Sequence, residues 1–251
     1  MHCVAVLTRG YAEAEKYNLL IKRNQHVSRH LNDKSTDILL FHEGNITQEH
    51  QVFIQSQTPE LKLQFVDVPF PESKKAVPVE EAPEFGLGYR HMCSFWFIHC
   101  FKALAKYAAV VRIDEDCFVD SNIDQLFLHL QKYTFVCGAT AADHAFVTRG
   151  LNAFTLAFLK RHSRRHFMPK APSGPYTNLF GMALDRIRAN PAFQSYALEV
   201  ERSDMIYRRR WGDLPLWGEV IFYLFGQESL RIDATLSYYH ESHEKYVNKQ
   251  Y

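Results

Sequence analysis

Four short apolar runs, spaced by helix-sized intervals, constrain this chain more than anything else in it. Residues 2–8 (HCVAVLT), 37–42 (DILLFH) and 62–68 (KLQFVDV) are the first three. The fourth, residues 108–113 (AAVVRI), is apolar apart from Arg112 and runs straight into Asp114-Glu115-Asp116. Near-continuous apolar runs of this length read as strands covered on both faces. Residues 11–32 carry helical spacing through Tyr17, Leu20, Ile21 and Val27. The chain therefore opens β-α-β-α-β, the pattern of a parallel sheet covered by helices.

Further along, residues 69–86 hold Pro69, Pro71, Pro78 and Pro83 among charges and read as a long loop. Met92, Phe95, Trp96, His99 and Leu104 predict a helix over 88–106. Ser121-Asn-Ile-Asp124 resembles a capping box that opens a helix to about 132. A strand at 133–139 and a helix at 145–166, ending in a basic cluster, follow. Pro169, Pro172, Gly174 and Pro175 break the chain. A strand at 177–183, a helix near 192–200, an aromatic-rich helix at 214–225 and short strands near 229–232 and 235–239 complete the reading.

No linker separates two domains, so residues 1–251 are expected to form a single α/β domain. Apolar residues make up 47% and charged residues 23% of the 251, which excludes intrinsic disorder. Lys plus Arg is 29 against 28 Asp plus Glu, a net charge of +1, so no nucleic-acid partner is expected. The best apolar run, 94–101, stops at Lys102. That is far short of the roughly 20 residues of a spanning helix, so no membrane segment is expected. The N-terminus lacks a basic n-region, and the expected location is cytoplasmic, with the secretory pathway open only if a signal or anchor has been removed. The five Cys are an odd count with no C-x-x-C and read as reduced, mostly buried thiols.

The acidic triplet is the strongest chemical signal. Ligands of open α/β sheets bind beyond the carboxyl ends of the strands. An Asp-x-Asp placed there offers hard oxygen ligands to Mg²⁺ or Mn²⁺ carrying a diphosphate. The plainer alternative is a solvated acidic turn. His240 closes Leu236-Ser-Tyr-Tyr-His240; it either joins such a site, favouring Mn²⁺, or lies on the surface. Asp213, in Arg210-Trp211-Gly212-Asp213, is a helix N-cap or a group that meets a sugar hydroxyl or takes a proton. Glu219 is the other carboxylate candidate. It sits in an aromatic helix, where it needs a partner or must face the site. Arg208 and Arg209 either meet phosphate or stay solvated. The basic cluster at 160–166 reads as a solvated helix end. No Gly-rich phosphate loop, G-x-S-x-G or H-E-x-x-H is present.

Four motifs occur together in order: Gly88-Tyr-Arg-His-Met-Cys-Ser-Phe-Trp96, Val111-Arg-Ile-Asp-Glu-Asp116, Tyr207-Arg-Arg-Arg-Trp-Gly-Asp213 and Ser237-Tyr-Tyr-His240. In this the chain resembles the fungal α-mannosyltransferases of the secretory pathway, glycosyltransferase family 15, over roughly residues 88 to 240. The resemblance implies a GT-A fold with a mixed, mainly parallel central sheet, a GDP-mannose-like or UDP-sugar donor, Mn²⁺ or Mg²⁺, a glycan acceptor and retention of configuration. It implies a nucleotide-sugar-binding half at 1–120 and an acceptor-binding half at 121–251. By motif, Asp114 stands where the family has a metal-binding Glu, and His240 where it has a metal-ligating His. Asp213 matches the Asp of its Trp-Gly-Asp. The triplet departs from the family's Glu-Pro-x, and no carboxylate follows Asn178 where the family has its candidate nucleophile.

The expected site is therefore Asp114 or Asp116 with His240 on the metal, and Asp213 and Glu219 at the reaction centre. Thr8 and Arg9 are expected near base or ribose, Tyr89 and Arg90 near sugar or phosphates, and Arg112, Asn178 and Trp211 around the substrate. A non-catalytic sugar-nucleotide or glycan-binding protein and a nucleotidyltransferase are the alternatives.

Overall fold

A computed structural model describes residues 1–162 and 169–249. The basic cluster expected at 160–166 lies partly outside the described residues. The chain runs β1 (His2–Leu7), α1 (Asn18–His30), β2 (Asp37–His42), α2 (Gln48–Ser56), β3 (Leu63–Asp67), α3 (Leu87–Ser94) and α4 (Cys100–Ala103). A π-turn at Phe95–His99 joins α3 to α4. Then come β4 (Ala109–Ile113), β5 (Cys117–Val119), α5 (Asp124–Lys132), β6 (Phe135–Cys137), β7 (Thr140–Ala141) and α6 (Leu151–His162). After the undescribed stretch follow β8 (Gly174–Pro175), β9 (Leu179–Ala183), α7 (Leu184–Arg188), α8 (Pro191–Ser203), α9 (Met205–Arg209) and α10 (Asp213–Val220). The last strands are β10 (Leu230–Ile232), β11 (Tyr238–His240) and β12 (Lys245–Val247).

Seven strands form the central sheet in the order β10-β6-β9-β4-β1-β2-β3. Only β9 runs against its neighbours, so the sheet is mixed and mainly parallel, as expected. The apolar runs work as strands because alternate residues leave by opposite faces. Cys3 and Ala5 enter one core with Trp96, Phe97 and Trp217, while Val4 and Val6 enter the other with Leu20 and Val27 of α1. Helices thus cover both faces, and all five cysteines are buried and free.

Local chemistry starts the helices. Asn190 caps α8, its Oδ1 accepting from the N–H groups of Ala192 and Phe193 at 3.0 and 3.1 Å, with Pro191 in the first turn. Thr47 caps α2 in the same way through the N–H of His50. The capping box at Ser121–Asp124 does not form. Asp124 instead accepts from the backbone of Asn32 and Asp33, and Ser121 Oγ exchanges hydrogen bonds with the backbone of Ser237.

Two registers place the site. β4 pairs with β9 so that Ile113 faces Leu179, and the Asp114 N–H then bonds the Asn178 carbonyl at 2.8 Å. In a three-stranded antiparallel sheet, β11 lies between β5 and β12, with His240 opposite Cys117. Glu241 N–H closes this pairing on the Asp116 carbonyl at 3.0 Å.

Candidate active site

Both registers end at the acidic turn, and its three carboxylates go three ways. Asp116 Oδ2 meets His240 Nε2 at 3.3 Å. Glu115 accepts from the Thr8 hydroxyl and, at 2.9 Å, from the Tyr11 hydroxyl. Asp114 takes a bidentate grip from Arg112, at 2.7 and 2.9 Å, and the same guanidinium bonds Asp213. Arg112 shares its sheet face with Trp96 and lies 4.8 Å from that ring's centroid. Burial alone would lower the Arg112 pKa, but Asp114 and Asp213 raise it.

A cleft of about 620 Å³ opens over this turn. Its walls include Thr8, Arg9, Gly10 and Tyr11 after β1, Asn45 after β2, Tyr89 and Met92 of α3, and Glu115 and Asp116. Gly10 is required here, because a Cβ would lie 2.2 Å from the Asn45 carbonyl oxygen. Its N–H donates to Asn45 Oδ1 at 3.0 Å, which ties the two strand-end loops together. A larger hollow of about 860 Å³ adjoins the far side of Phe70, but neither the acidic turn nor His240 lines it.

His240 is held in a fixed orientation. Asn178 Oδ1 accepts from the Tyr238 hydroxyl at 2.9 Å and from the Leu179 N–H at 3.1 Å, which sets the amide. Its Nδ2 then donates to His240 Nδ1 at 2.8 Å, and the Tyr176 hydroxyl reaches the same nitrogen at 2.8 Å. Nε2 is left facing Asp116, with the Ser242 hydroxyl 3.1 Å away. Burial pushes the Asp116 carboxyl up, but hydrogen bonds from His240 and Ser242 outweigh it and bring it down to about 2. Asp116 is therefore a carboxylate at neutral pH, and it forms with His240 and the Cys117 thiol a group of close potential ligand atoms. Burial pushes the Cys117 thiol well up, so it stays protonated and is a poor ligand.

Of the residues singled out in the sequence, Thr8, Arg9, Tyr89 and Asp116 line the cleft. His240 and Asn178 stand behind Asp116. Arg112 and Asp213 are buried and form an ion-paired set with the half-buried Asp114, and Arg112 reaches Met92 of the cleft wall at 3.5 Å. Four expectations need correction. Arg90 is 1% exposed, and its guanidinium bonds the carbonyls of Phe85, Glu81, Ala82, Ile206 and Tyr207, so it faces backbone rather than substrate. Trp211 packs in the core against Phe154 and donates to the Arg149 carbonyl. Asp213 is not the N-cap of α10; Gly212 is, and the Asp213 side chain turns to Arg112. Glu219 faces α6, where Asn152 Nδ2 reaches both its oxygens at 3.0 and 3.1 Å.

Several residues escaped the sequence reading. Tyr11 and Glu115 build the cleft wall, and Glu115 was visible as the middle of the triplet. Tyr176 lies two residues before Asn178, a spacing that puts both on one side of an extended chain. Arg210 bridges Asp143 and the Tyr89 hydroxyl, at 2.6 and 2.8 Å, and stacks on Phe85. Arg23 of α1 is wholly buried, and its Nε and one terminal nitrogen have no hydrogen-bond partner among the described residues. Burial pulls its pKa down to about 10, against the opposing pull of Asp114, Cys117 and Glu115, so it puts positive charge beneath the turn.

No protein-family model matches the chain. No curated protein sequence matches it either. Solved structures do. Core-mannan synthase A of Aspergillus fumigatus, in an Mn/GDP-form, superposes with a TM-score of 0.77 at 17% identity, covering 95% of this chain and 74% of that one. The mannosyltransferase Ktr4p of S. cerevisiae gives 0.76 at 16% identity, covering 95% and 70%. Mouse xyloside xylosyltransferase 1 gives 0.54 at 11% identity, covering 92% and 84%. The chain shares the GT-A type fold of these glycosyltransferases.

Proposed function

We propose that this chain is a metal-dependent glycosyltransferase that moves a sugar from a nucleoside diphosphate donor, GDP-mannose-like or a UDP-sugar, to a glycan hydroxyl. The observation that carries the reading is the Asp116–His240 pair, 3.3 Å apart at the strand ends below the cleft of a GT-A fold. A carboxylate and an imidazole suit Mn²⁺ better than Mg²⁺. The pair fits such an ion in that Nε2 already points at the carboxylate; ligation through Nε2 would put the ring proton on Nδ1, hydrogen-bonded to the Tyr176 hydroxyl, with the Asn178 amide withdrawn from that nitrogen. When bound, the ion supplies charge neutralisation for the departing diphosphate.

The remaining roles belong to the chain's own residues. Thr8, Arg9 and Tyr11 would hold the base and ribose, with residues 1–120 as the nucleotide-sugar half. Arg9 lies 5.0 Å from the Tyr11 ring centroid and presents its charge at the cleft rim. Tyr89 would face the sugar, its hydroxyl fixed by Arg210. Asp213 and Glu219 act from behind this surface, one by fixing Arg112 and Asp114 and the other by joining α10 to α6. With both already hydrogen-bonded, the acceptor proton passes to the departing diphosphate. The C1–phosphate bond then breaks on the face where the C1–acceptor bond forms, with retention.

Incubation with GDP-mannose and a panel of UDP-sugars, with and without Mn²⁺, tests this. Metal-dependent release of nucleoside diphosphate, accelerated by a mannan or oligosaccharide acceptor, is the expected result. A donor that raises the melting temperature but is never turned over would replace the enzyme with a binding protein. An inverted anomeric proton in the product would overturn retention.

A further inference from the structure

A second group of metal-ligating side chains lies on the outside of the fold, where α1 packs on β5. His26 and His30 are one helical turn apart, so both imidazoles leave α1 on the same side. Asp120 follows β5 directly. One ring nitrogen of each histidine and one Asp120 carboxylate oxygen lie within 4.8 Å of one another. His26 Nδ1 is 3.2 Å from Asp120 Oδ1 and 3.0 Å from the Val119 carbonyl oxygen. Ligands at about 2.0 to 2.2 Å from a tetrahedral ion sit roughly 3.3 Å from each other, so two edges of such a site are nearly set.

We propose that His26, His30 and Asp120 form a second divalent-metal site, of the zinc class and separate from the Asp116–His240 pair. The donor set decides the class. Two imidazoles and a carboxylate suit Zn²⁺ and its transition-metal neighbours and do not suit Mg²⁺ or Ca²⁺, which take oxygen. The side chains are available. His30 makes no side-chain hydrogen bond among the described residues, and the Asp120 carboxylate meets only His26. The neighbouring Lys22 is drawn aside, over the Phe118 ring and toward Glu241 at 3.8 Å. The Val119 carbonyl or a water completes the coordination. An ion there would clamp the last turn of α1 to the strand that follows Asp116.

Zinc and cobalt titrations of the chelator-stripped protein test the proposal, with two double variants separating the sites. Asp116→Asn with His240→Ala is expected to keep one Zn²⁺ equivalent and a Zn²⁺-dependent rise in melting temperature. It should also give the visible absorption of four-coordinate Co²⁺. His26→Ala with His30→Ala, on half-buried positions, is expected to fold and to lose that equivalent, with affinity down roughly tenfold or more. Asp120→Asn checks the third ligand without altering shape. The proposal fails if the His26/His30 variant binds Zn²⁺ as the wild type does, or if the Asp116/His240 variant binds none. Either result leaves the glycosyltransferase reading untouched.

Discussion

Arg90 shows how a buried charge can be satisfied without a single acid. Every bond of its guanidinium ends on a main-chain carbonyl, in the 81–85 loop and in α9. Lysine has three donors on one nitrogen and cannot reach both segments, so Arg90→Lys leaves carbonyls bare. We expect a loss of about 3 kcal/mol in urea denaturation, with nucleotide binding weakened only as far as α3, which carries Tyr89, loosens. The acidic triplet separates in the same way. Asp116→Asn should abolish the Mn²⁺-dependent rise in melting temperature and leave the metal-free protein folded. Asp114→Asn should act in the opposite sense. It leaves Arg112 buried with one of its two carboxylates gone, so the metal-free protein should lose roughly 3 kcal/mol. Melting curves of both variants, each with and without Mn²⁺, decide the assignment. Equal behaviour would mean that Asp114 and Asp116 share the ion.

At the scale of elements, register does what spacing cannot announce. The four apolar runs, the β-α-β-α-β opening and the strand leading into the triplet were legible because burial on both faces writes itself as an apolar string. Asn178 and His240 were legible as strand-end residues. Their hydrogen bond across 62 positions was not, because it depends on β9 pairing with β4 and β11 with β5. Arg90 was misread for a related reason: its partners are carbonyls, which every residue carries. Gly174 read only as part of a chain break, yet it lets β8 lie against α10. A Cβ there would stand 1.9 Å from the Leu214 carbonyl oxygen, and a Cβ on Gly218 of α10 would in turn stand 3.0 Å from the Gly174 backbone. Neither obstacle is a flexible side chain. Gly174→Ala must therefore push α10 off β8, and we expect at least about 3 kcal/mol of destabilisation. Because α10 begins at Asp213, the shift should also lower turnover more than it raises the donor KM. A variant as stable as wild type would mean the two elements can separate freely.

For the whole molecule, a net charge of +1 means that no large charge imbalance dominates stability near neutral pH, and individual buried groups become readable. Two sets of groups pull in opposite directions. Burial lowers the pKa of His42, His91 and His99, so they fold as neutral rings. The unfolded chain binds protons at these positions more readily, and their effect is a loss of stability as pH falls below about 6.5. Glu219 does the reverse. It is 3% exposed, and burial raises it to about 7 despite the hydrogen bonds from Asn152 and Thr155. Between about pH 4.5 and 7 the folded chain holds a proton there that the unfolded chain has released, so this group's contribution falls as pH rises. The size is about 3 kcal/mol across that window, with none below it and no further change above it. Glu219→Gln removes the titrating group while keeping a polar partner for Asn152. We therefore expect the stability difference between variant and wild type to be flat below pH 4.5. It should move by about 3 kcal/mol in the variant's favour by pH 7 and then level off. The histidine slope is common to both proteins and cancels in the subtraction. A difference that does not change between pH 4.5 and 7 would show Glu219 to be ionised throughout. In that case a cation or water in the α6–α10 joint must be sharing its charge.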